Sequence, residues 1–349
     1  MKVAVDIRPL LSRPTGVGIW LHNILAAMKK YESSFQWVYF SSSMKERFPE
    51  GKLEDFPPGR LVDLRIPVKI LNFLFYNFRF PSLEFLTGEK LDITLSPNPM
   101  ILPSYKAKKI VTVHDLFFYE NPEKVEKEFG SLYRKNLEKS LKGADAIIAV
   151  SRYTASKIKE YFGMEEKIRV IPEAAREFPK PEVVKGLPQN FFLFIGGCQP
   201  RKNLSALVKA LDMLEEDVYL VVVGGKPCLS SKKIIWLSYL SDSQLHYLYK
   251  NSLALICPSF DEGFGLPVLE AMSLGVPVAC SRAGALPEAA GEAALYFDPA
   301  QPEEIAFCMK QLLSEERRKE LSAKGMERAS SFSWDRAAAS LIELLKELK

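Results

Sequence analysis

The sequence predicts an α/β protein made of two doubly wound, Rossmann-like domains facing a central cleft. Three observations carry that expectation. Short apolar runs alternate with helical patterns along the whole chain, which argues for parallel sheets covered on both faces. The alternation breaks at residues 178–190, a stretch rich in proline and polar residues, and then starts afresh. The length of 349 residues suits two ordinary domains better than one.

The first series opens with a strand at 3–5, then a turn bearing Gly16 and Gly18, then a helix over 19–29. Further strands are expected at 37–40, 62–65, 93–95, 109–113, 146–150 and 169–171, with helices such as 124–141 and 153–162 between them. The expected domains are 1–180 and 181–332, with residues 178–190 as the linker. The second series has expected strands at 191–195, 218–223, 234–237, 254–257, 276–280 and 294–297. Its helices fall near 204–213, 241–250, 267–274 and 302–313, and residues 333–349 read as one long final helix. Ligands of such sheets bind at the carboxyl ends of the strands, so the chemistry is expected in the loops there.

Composition narrows the function classes. The net charge of +4 permits an acidic ligand or an anionic surface and demands neither, and nothing in the charge pattern calls for a nucleic acid. The five cysteines, Cys198, Cys228, Cys257, Cys280 and Cys308, contain no C-x-x-C pair. Reduced thiols are expected rather than a disulfide framework. Three scattered histidines and the absence of a D-x-D triplet predict no metal site. The first residues read as a strand rather than a signal peptide, and no apolar run reaches the roughly 18 to 20 residues of a membrane span. A cytoplasmic protein is therefore expected, with contact to a membrane from that side left open.

Several motifs could carry chemistry. Thr15-Gly16-Val17-Gly18 stands between a strand and a helix, where glycine admits close backbone approach and helix amides favour an anion; it reads equally as a plain tight turn. Gly196-Gly197-Cys198-Gln199-Pro200-Arg201-Lys202-Asn203 follows the first strand of the second series. It offers two cations and an asparagine cap to a diphosphate, or is a solvated loop. His114 ends the strand at 109–113 and could hydrogen-bond a sugar hydroxyl or phosphate, or simply be held by its neighbours. His22 and His246 sit in helical patterns and read as structural or exposed. The stretch from Glu262 through Gly263-Phe264-Gly265-Leu266-Pro267 to Glu270 is the most specific. Its glycines free backbone amides, Pro267 suits a first helical turn, and its glutamates suit sugar and ribose hydroxyls. The aromatic, basic run at 66–80 reads either as a membrane-interface segment or as a core or groove helix.

Together these motifs resemble the family-4 glycosyltransferases of GT-B fold, most closely a mannosyltransferase-like branch of bacterial surface-polysaccharide enzymes. The matching features also include Val111-Thr-Val-His114-Asp115-Leu116, Val150-Ser-Arg-Tyr-Thr-Ala-Ser, Ile235-Trp-Leu-Ser-Tyr-Leu-Ser-Asp242, Leu286-Pro-Glu-Ala-Ala-Gly291 and Phe332-Ser-Trp334. The resemblance implies retaining, metal-independent transfer from a nucleotide-sugar donor to a glycan or lipid-linked acceptor. It implies Glu262 at the reacting face of the sugar, His114 on the sugar, and Glu270 on the ribose. Amides of Phe264, Gly265 and Leu266 would hold sugar and phosphate. Arg201 and Lys202 would neutralise the diphosphate, Gly16 and Val17 would give it amides, and Leu240 would lie against the base. The final helix would pack back on the first domain. Three departures stand out: Gly197 where many relatives have arginine, Glu173-Ala174 where many have Asn-Gly, and Ser238 for a common glycine.

GDP-mannose is the expected donor from the branch resemblance, with a UDP-sugar such as UDP-glucose as the alternative. An NAD-dependent oxidoreductase would need the full dinucleotide fingerprint, which is missing. A non-catalytic nucleotide-sugar binding protein would have no use for the intact glutamates and cations. A glycosidase would have no need of phosphate-binding loops.

Overall fold

The structure is a computed structural model that describes the backbone of residues 1–11, 15–31, 35–121 and 127–349, and their side chains except at Glu50 and residues 127–133. It divides into two compact units, Met1–Glu173 with Trp334–Lys349, and Ala174–Ser333. The chain therefore crosses between units after Glu173, ahead of the proline-rich stretch at 178–190, which belongs to the second unit.

The first unit holds a parallel sheet of β1 (Lys2–Asp6), β2 (Gln36–Ser42), β3 (Gly59–Leu64), β4 (Ile93–Ser96), β5 (Lys108–Val113), β6 (Ala146–Ala149) and β7 (Ile168–Val170). Its order is β3-β2-β1-β4-β5-β6-β7, with all pairs parallel. The strands are near-continuous apolar runs because both faces are covered. One face packs around Phe40, Leu71, Phe75 and Leu83, and another cluster gathers Val111, Val113, Leu141 and Ile147. The helices are α1 (Gly16–Met28), α2 (Val68–Phe78), α3 (Leu83–Thr87), α4 (Phe117–Glu120), α5 (Lys127–Gly143) and α6 (Arg152–Phe162). Helix 124–141 was expected; its first residues, 124–126, lie outside the described residues.

The second unit repeats the plan with β8 (Phe191–Ile195), β9 (Tyr219–Val223), β10 (Ile234–Leu237), β11 (Ala254–Cys257), β12 (Val278–Ser281) and β13 (Leu295–Phe297), in the order β10-β9-β8-β11-β12-β13. Its helices are α7 (Leu204–Asp212), α8 (Asp242–Asn251), α9 (Leu266–Ser273), α10 (Leu286–Ala290), α11 (Pro302–Gln311) and α12 (Glu315–Ser330). Both orders are of the doubly wound type, reversing between β1 and β4 in the first unit and between β8 and β11 in the second. Loops at such reversals are where ligands bind.

The last helix, α13 (Trp334–Glu347), belongs to the first unit and packs on α1. Its apolar stripe of Ala337, Ala338, Leu341, Ile342, Leu344 and Leu345 is buried. Lys30 on α1's side reaches Asp335 at 2.9 Å, and the Tyr31 hydroxyl donates to the Asp335 carbonyl at 2.9 Å.

The cysteine expectation needs correction. Cys198 and Cys228 form a disulfide, with Cα atoms 6.1 Å apart; Cys257, Cys280 and Cys308 are free and buried. The reason is register. Ile195 and Val223 are paired at the carboxyl ends of neighbouring strands β8 and β9, so the loops that follow run side by side. The sequence separation of 30 residues hides that proximity. Helix α2, within the aromatic run left open above, is half a core helix. Leu71 and Phe75 are buried, while Ile70, Phe73 and Phe78 are 53%, 57% and 65% exposed.

Candidate functional site

In the second unit, the loops after β8 and β11 meet at the sheet's reversal. The loop after β8 turns through Gly196 and Gly197, both at positive φ, and then a single 3-10 turn, Pro200–Lys202. A Cβ on Gly197 would come within 2.7 Å of the Gly224 carbonyl oxygen. This backbone therefore has no room for a side chain at position 197, one of the departures from the family pattern. The Lys202 stem passes over Gly196, where a Cβ would lie 2.9 Å from its Cγ. Asn203 does not cap α7 as expected. It adopts left-handed φ and its side-chain amide donates to the Pro299 carbonyl at 2.7 Å, away from the helix amides.

Glu262 stands on the loop after β11 and is 6% exposed. Its Oε1 accepts from Lys202 Nζ and from the Ser259 hydroxyl, both at 2.6 Å, and its Oε2 accepts from Arg201 Nη1 at 2.7 Å. Arg201 also donates to the Asp261 carbonyl at 2.8 Å, which ties the two loops together. Gly284 packs on this backbone so closely that a Cβ would sit 2.5 Å from the Glu262 nitrogen. Burial alone would raise the Glu262 carboxyl, but Lys202 and Arg201 outweigh it and hold the group at about 2. The cluster is thus a buried, hydrogen-bonded carboxylate held between two cations, with buried Asp261 beside it.

Beyond Glu262 the chain enters α9. Gly265 is its N-cap at φ 103°, and Pro267 occupies the first turn, where a missing N–H costs nothing. A Cβ on Gly265 would meet Leu286 at 2.9 Å, so the turn needs glycine twice over. Phe264, Gly265 and Leu266 bring their backbone to the positive end of the helix dipole. Phe264 is buried against Phe332 in an edge-to-face pair, centroids 5.6 Å apart.

Glu270 lies farther along α9 and is 2% exposed. Its Oε2 accepts from the Tyr249 hydroxyl at 2.9 Å, and its Oε1 lies 2.7 Å from Arg176 Nε. Burial dominates and places the Glu270 carboxyl above its usual range; Arg176 and Tyr249 pull the other way. Arg176 was not anticipated from sequence. It sits just ahead of the proline-rich stretch and resembles any surface arginine until the fold places it on Glu270. Leu240, on the loop between β10 and α8, is half-buried and lies near Ser241, which caps α8 in a capping box with Gln244.

In the first unit, Gly16 and Val17 form the N-terminus of α1, where Thr15 caps by accepting from Gly18 N. Gly16 has open space around a would-be Cβ. Ser12, Arg13 and Pro14, just before, lie outside the described residues. His114, past the end of β5, is held by its neighbours: Nε2 faces the Pro97 carbonyl at 2.9 Å and Nδ1 faces Glu173 Oε1 at 3.1 Å. The Trp20 ring meets it edge-on at 5.4 Å. Glu173, one of the departures, is therefore a buried partner of His114. Among the described residues there is no cluster of three or more His, Cys, Asp or Glu fit to hold a metal ion.

The structure brings Arg201, Lys202, Glu262, Phe264, Gly265 and Leu266 onto two adjoining loops, and it holds Glu270 on the helix that follows. Two cations and the start of a helix thus lie beside a buried carboxylate, groups whose charge suits an anionic ligand. Comparison with known proteins shows the family. Residues 14–175 match the model "Glycosyltransferase Family 4", and residues 175–328 match "Glycosyl transferases group 1". The O-antigen chain mannosyltransferase B of Escherichia coli is 31% identical over 276 residues, 71% of this chain and 72% of that protein. The serotype-specific mannosyltransferase WbdA of Escherichia coli is 29% identical over 68% of this chain, which spans only 33% of WbdA's length. The fold matches sucrose-phosphate synthase from Thermosynechococcus elongatus (TM-score 0.80, 17% identity, 99% and 98% of the two chains). It also matches WaaG, a glycosyltransferase involved in lipopolysaccharide biosynthesis (TM-score 0.72, 13% identity, 98% and 99%). The chain belongs to the family-4 glycosyltransferases and is a glycosyltransferase of GT-B fold.

Proposed function

We propose that this enzyme transfers mannose from GDP-mannose to a glycan or lipid-linked acceptor of a cell-surface polysaccharide, with retention at the anomeric carbon and without a metal ion. The observation that carries the reading is the buried pairing of Glu262 with Arg201 and Lys202. A bound diphosphate would compete with Glu262 for both cations. It would also receive the amides of Phe264, Gly265 and Leu266 at the start of α9. As the bond to the sugar breaks, negative charge grows on the diphosphate, and these fixed donors stabilise it in place of a metal. Glu262, freed from its cations, turns to the reacting face of the sugar. Glu270 takes the ribose hydroxyls and Leu240 lies against the base. Within the first unit, the Gly16 and Val17 amides at the start of α1 suit a phosphate, whereas His114 would have to leave Pro97 or Glu173 to meet a hydroxyl.

Mannose is supported by the Escherichia coli relatives, which are named as mannosyltransferases. The UDP-sugar alternative draws on Anabaena HepE, solved with UDP-glucose and 16% identical. A thermal-shift panel of GDP-, UDP- and ADP-sugars, with and without a chelator, tests donor and metal together. GDP-mannose should give the largest stabilisation and the chelator should change nothing. Stabilisation by UDP-sugars alone would overturn the donor, and loss on chelation would overturn the metal-free reading. The anomeric proton of the product, read by NMR, tests retention.

We also place the enzyme at the cytoplasmic face of a membrane. In the first unit, exposed Ile70, Phe73, Phe78, Phe80, Phe85 and Tyr105 are interspersed with exposed Lys69, Arg79 and Lys106. Residues 60–109 carry eight Lys/Arg against four Asp/Glu. Aromatic side chains among cations suit an anionic lipid interface. Among the described residues, no helix is long and apolar enough to cross a membrane. The Cys198–Cys228 bond pulls against a reducing compartment, where such bonds are rare.

A further inference from the structure

A carboxylate as deeply buried as Glu270 can accept from two hydroxyls only if it is charged, correctly aimed and left with free lone pairs. The surroundings of Glu270 supply a counter-charge, a fixed aim and free lone pairs. The Tyr249 hydroxyl fixes Oε2 with one hydrogen bond, leaving that oxygen a further acceptor site. Arg176 Nε pairs with Oε1 at 2.7 Å and so supplies the counter-charge from a fixed direction. A carboxylate oxygen has two lone pairs, so Oε1, like Oε2, keeps one acceptor direction beside its one contact.

Arg176 is itself held from two more directions. Its Nη1 donates to Asp242 Oδ1 at 2.7 Å, and its guanidinium lies over the Phe178 ring, 4.8 Å from the centroid. Its side chain is 11% exposed. Burial works against the charge on Arg176, and Glu270 and Asp242 more than restore it. A lysine at this position could not reach two carboxylates with a planar, forked cation.

We propose that Arg176 is the positioning residue for Glu270, and that through it the enzyme prefers a ribonucleoside to a 2′-deoxyribonucleoside diphosphate. The proposal rests on the reading of Glu270 as the ribose acceptor. Arg176 need not touch the nucleotide. It sets a positive charge against the effect of burial and fixes the carboxylate's direction, so that both ribose hydroxyls meet aimed acceptors.

The test compares GDP with 2′-deoxy-GDP, and UDP with 2′-deoxy-UDP, by isothermal titration of the wild type, Arg176→Met, Arg176→Lys and Glu270→Gln. The wild type should prefer the ribonucleotide by about tenfold, the equivalent of ~1.4 kcal/mol for one hydrogen bond to a charged group. Arg176→Met should cut that preference to about threefold or less, and should raise KM for the donor sugar with kcat little changed. Arg176→Lys, which keeps the buried charge and so protects folding, should fall between. Loss of preference in Glu270→Gln with full preference in both Arg176 variants overturns the role of Arg176 alone. Full preference in Glu270→Gln overturns the ribose reading, and the proposal with it.

Discussion

Glu262 carries one negative charge against the two positive charges of Arg201 and Lys202. That pairing yields two predictions. Glu262→Gln leaves the cations without their anion, so a bare nucleoside diphosphate should bind severalfold tighter, while transfer falls by about a hundredfold or more. Isothermal titration and a transfer assay read the two effects, and weaker diphosphate binding by the variant would refute the competition between carboxylate and phosphate. The second concerns acid. The folded Glu262 carboxyl sits at about 2, below its ordinary value near 4.3 in an unfolded chain. Its contribution to stability is therefore present above the unfolded value and is lost as pH falls from there toward about 2. Glu262→Gln, which has no such proton to take up, should lose stability less steeply over that window in acid titrations followed by circular dichroism. The Glu262–Glu270 stretch was legible because glycine, proline and carboxylate each have a local reason to be there. Arg176 and the Asn203 side chain were not legible, since their partners Glu270 and Pro299 lie far off in sequence and only the fold brings them near.

At the scale of elements, strands were easier to read than helices. Buried parallel strands such as β8 and β9 are unbroken apolar runs, which announce themselves. Helix α12 went unread because it buries only Leu321, Gly325 and Ala329, a stripe too narrow to stand out among its charges. Helix α2 shows the converse. Its apolar residues exceed what its core face needs, and the surplus is exposed. Replacing Phe73 and Phe78 together with serine should reduce co-sedimentation with phosphatidylglycerol vesicles by tenfold or so, at ~25 cal/mol per Å² of apolar area lost from the lipid. The melting temperature should hardly move, because neither ring is buried. Unchanged sedimentation would remove this face from the membrane.

At the scale of the whole molecule, the first unit is built from both ends of the chain, and the second is inserted between Glu173 and Trp334. Removing residues 334–349 should therefore damage the first unit and spare the second. The lost helix buries Leu341, Leu344 and Leu345 among others, each worth roughly 2–5 kcal/mol as a large-to-small change, against a typical total stability of about 5–15 kcal/mol. Limited proteolysis of the truncated protein should digest residues 1–173 and leave a resistant fragment from the second unit. Survival of the first unit would show that α13 is dispensable. The doubly wound class and both sheets were legible in the sequence because the strand-helix alternation recurs in each half.

The Cys198–Cys228 bond bears on how the molecule comes apart. It joins the two loops that follow β8 and β9, and α7 lies inside the covalent ring it closes. A peptide bond cut inside that ring produces two chains that stay attached by sulfur. On a denaturing gel the nicked protein should run as one species until a reductant is added, then separate into two. Within the ring the turn at 213–217, with Met213, Glu215 and Asp217 exposed, is the place to open the backbone, since the new termini would remain tethered through the sulfurs.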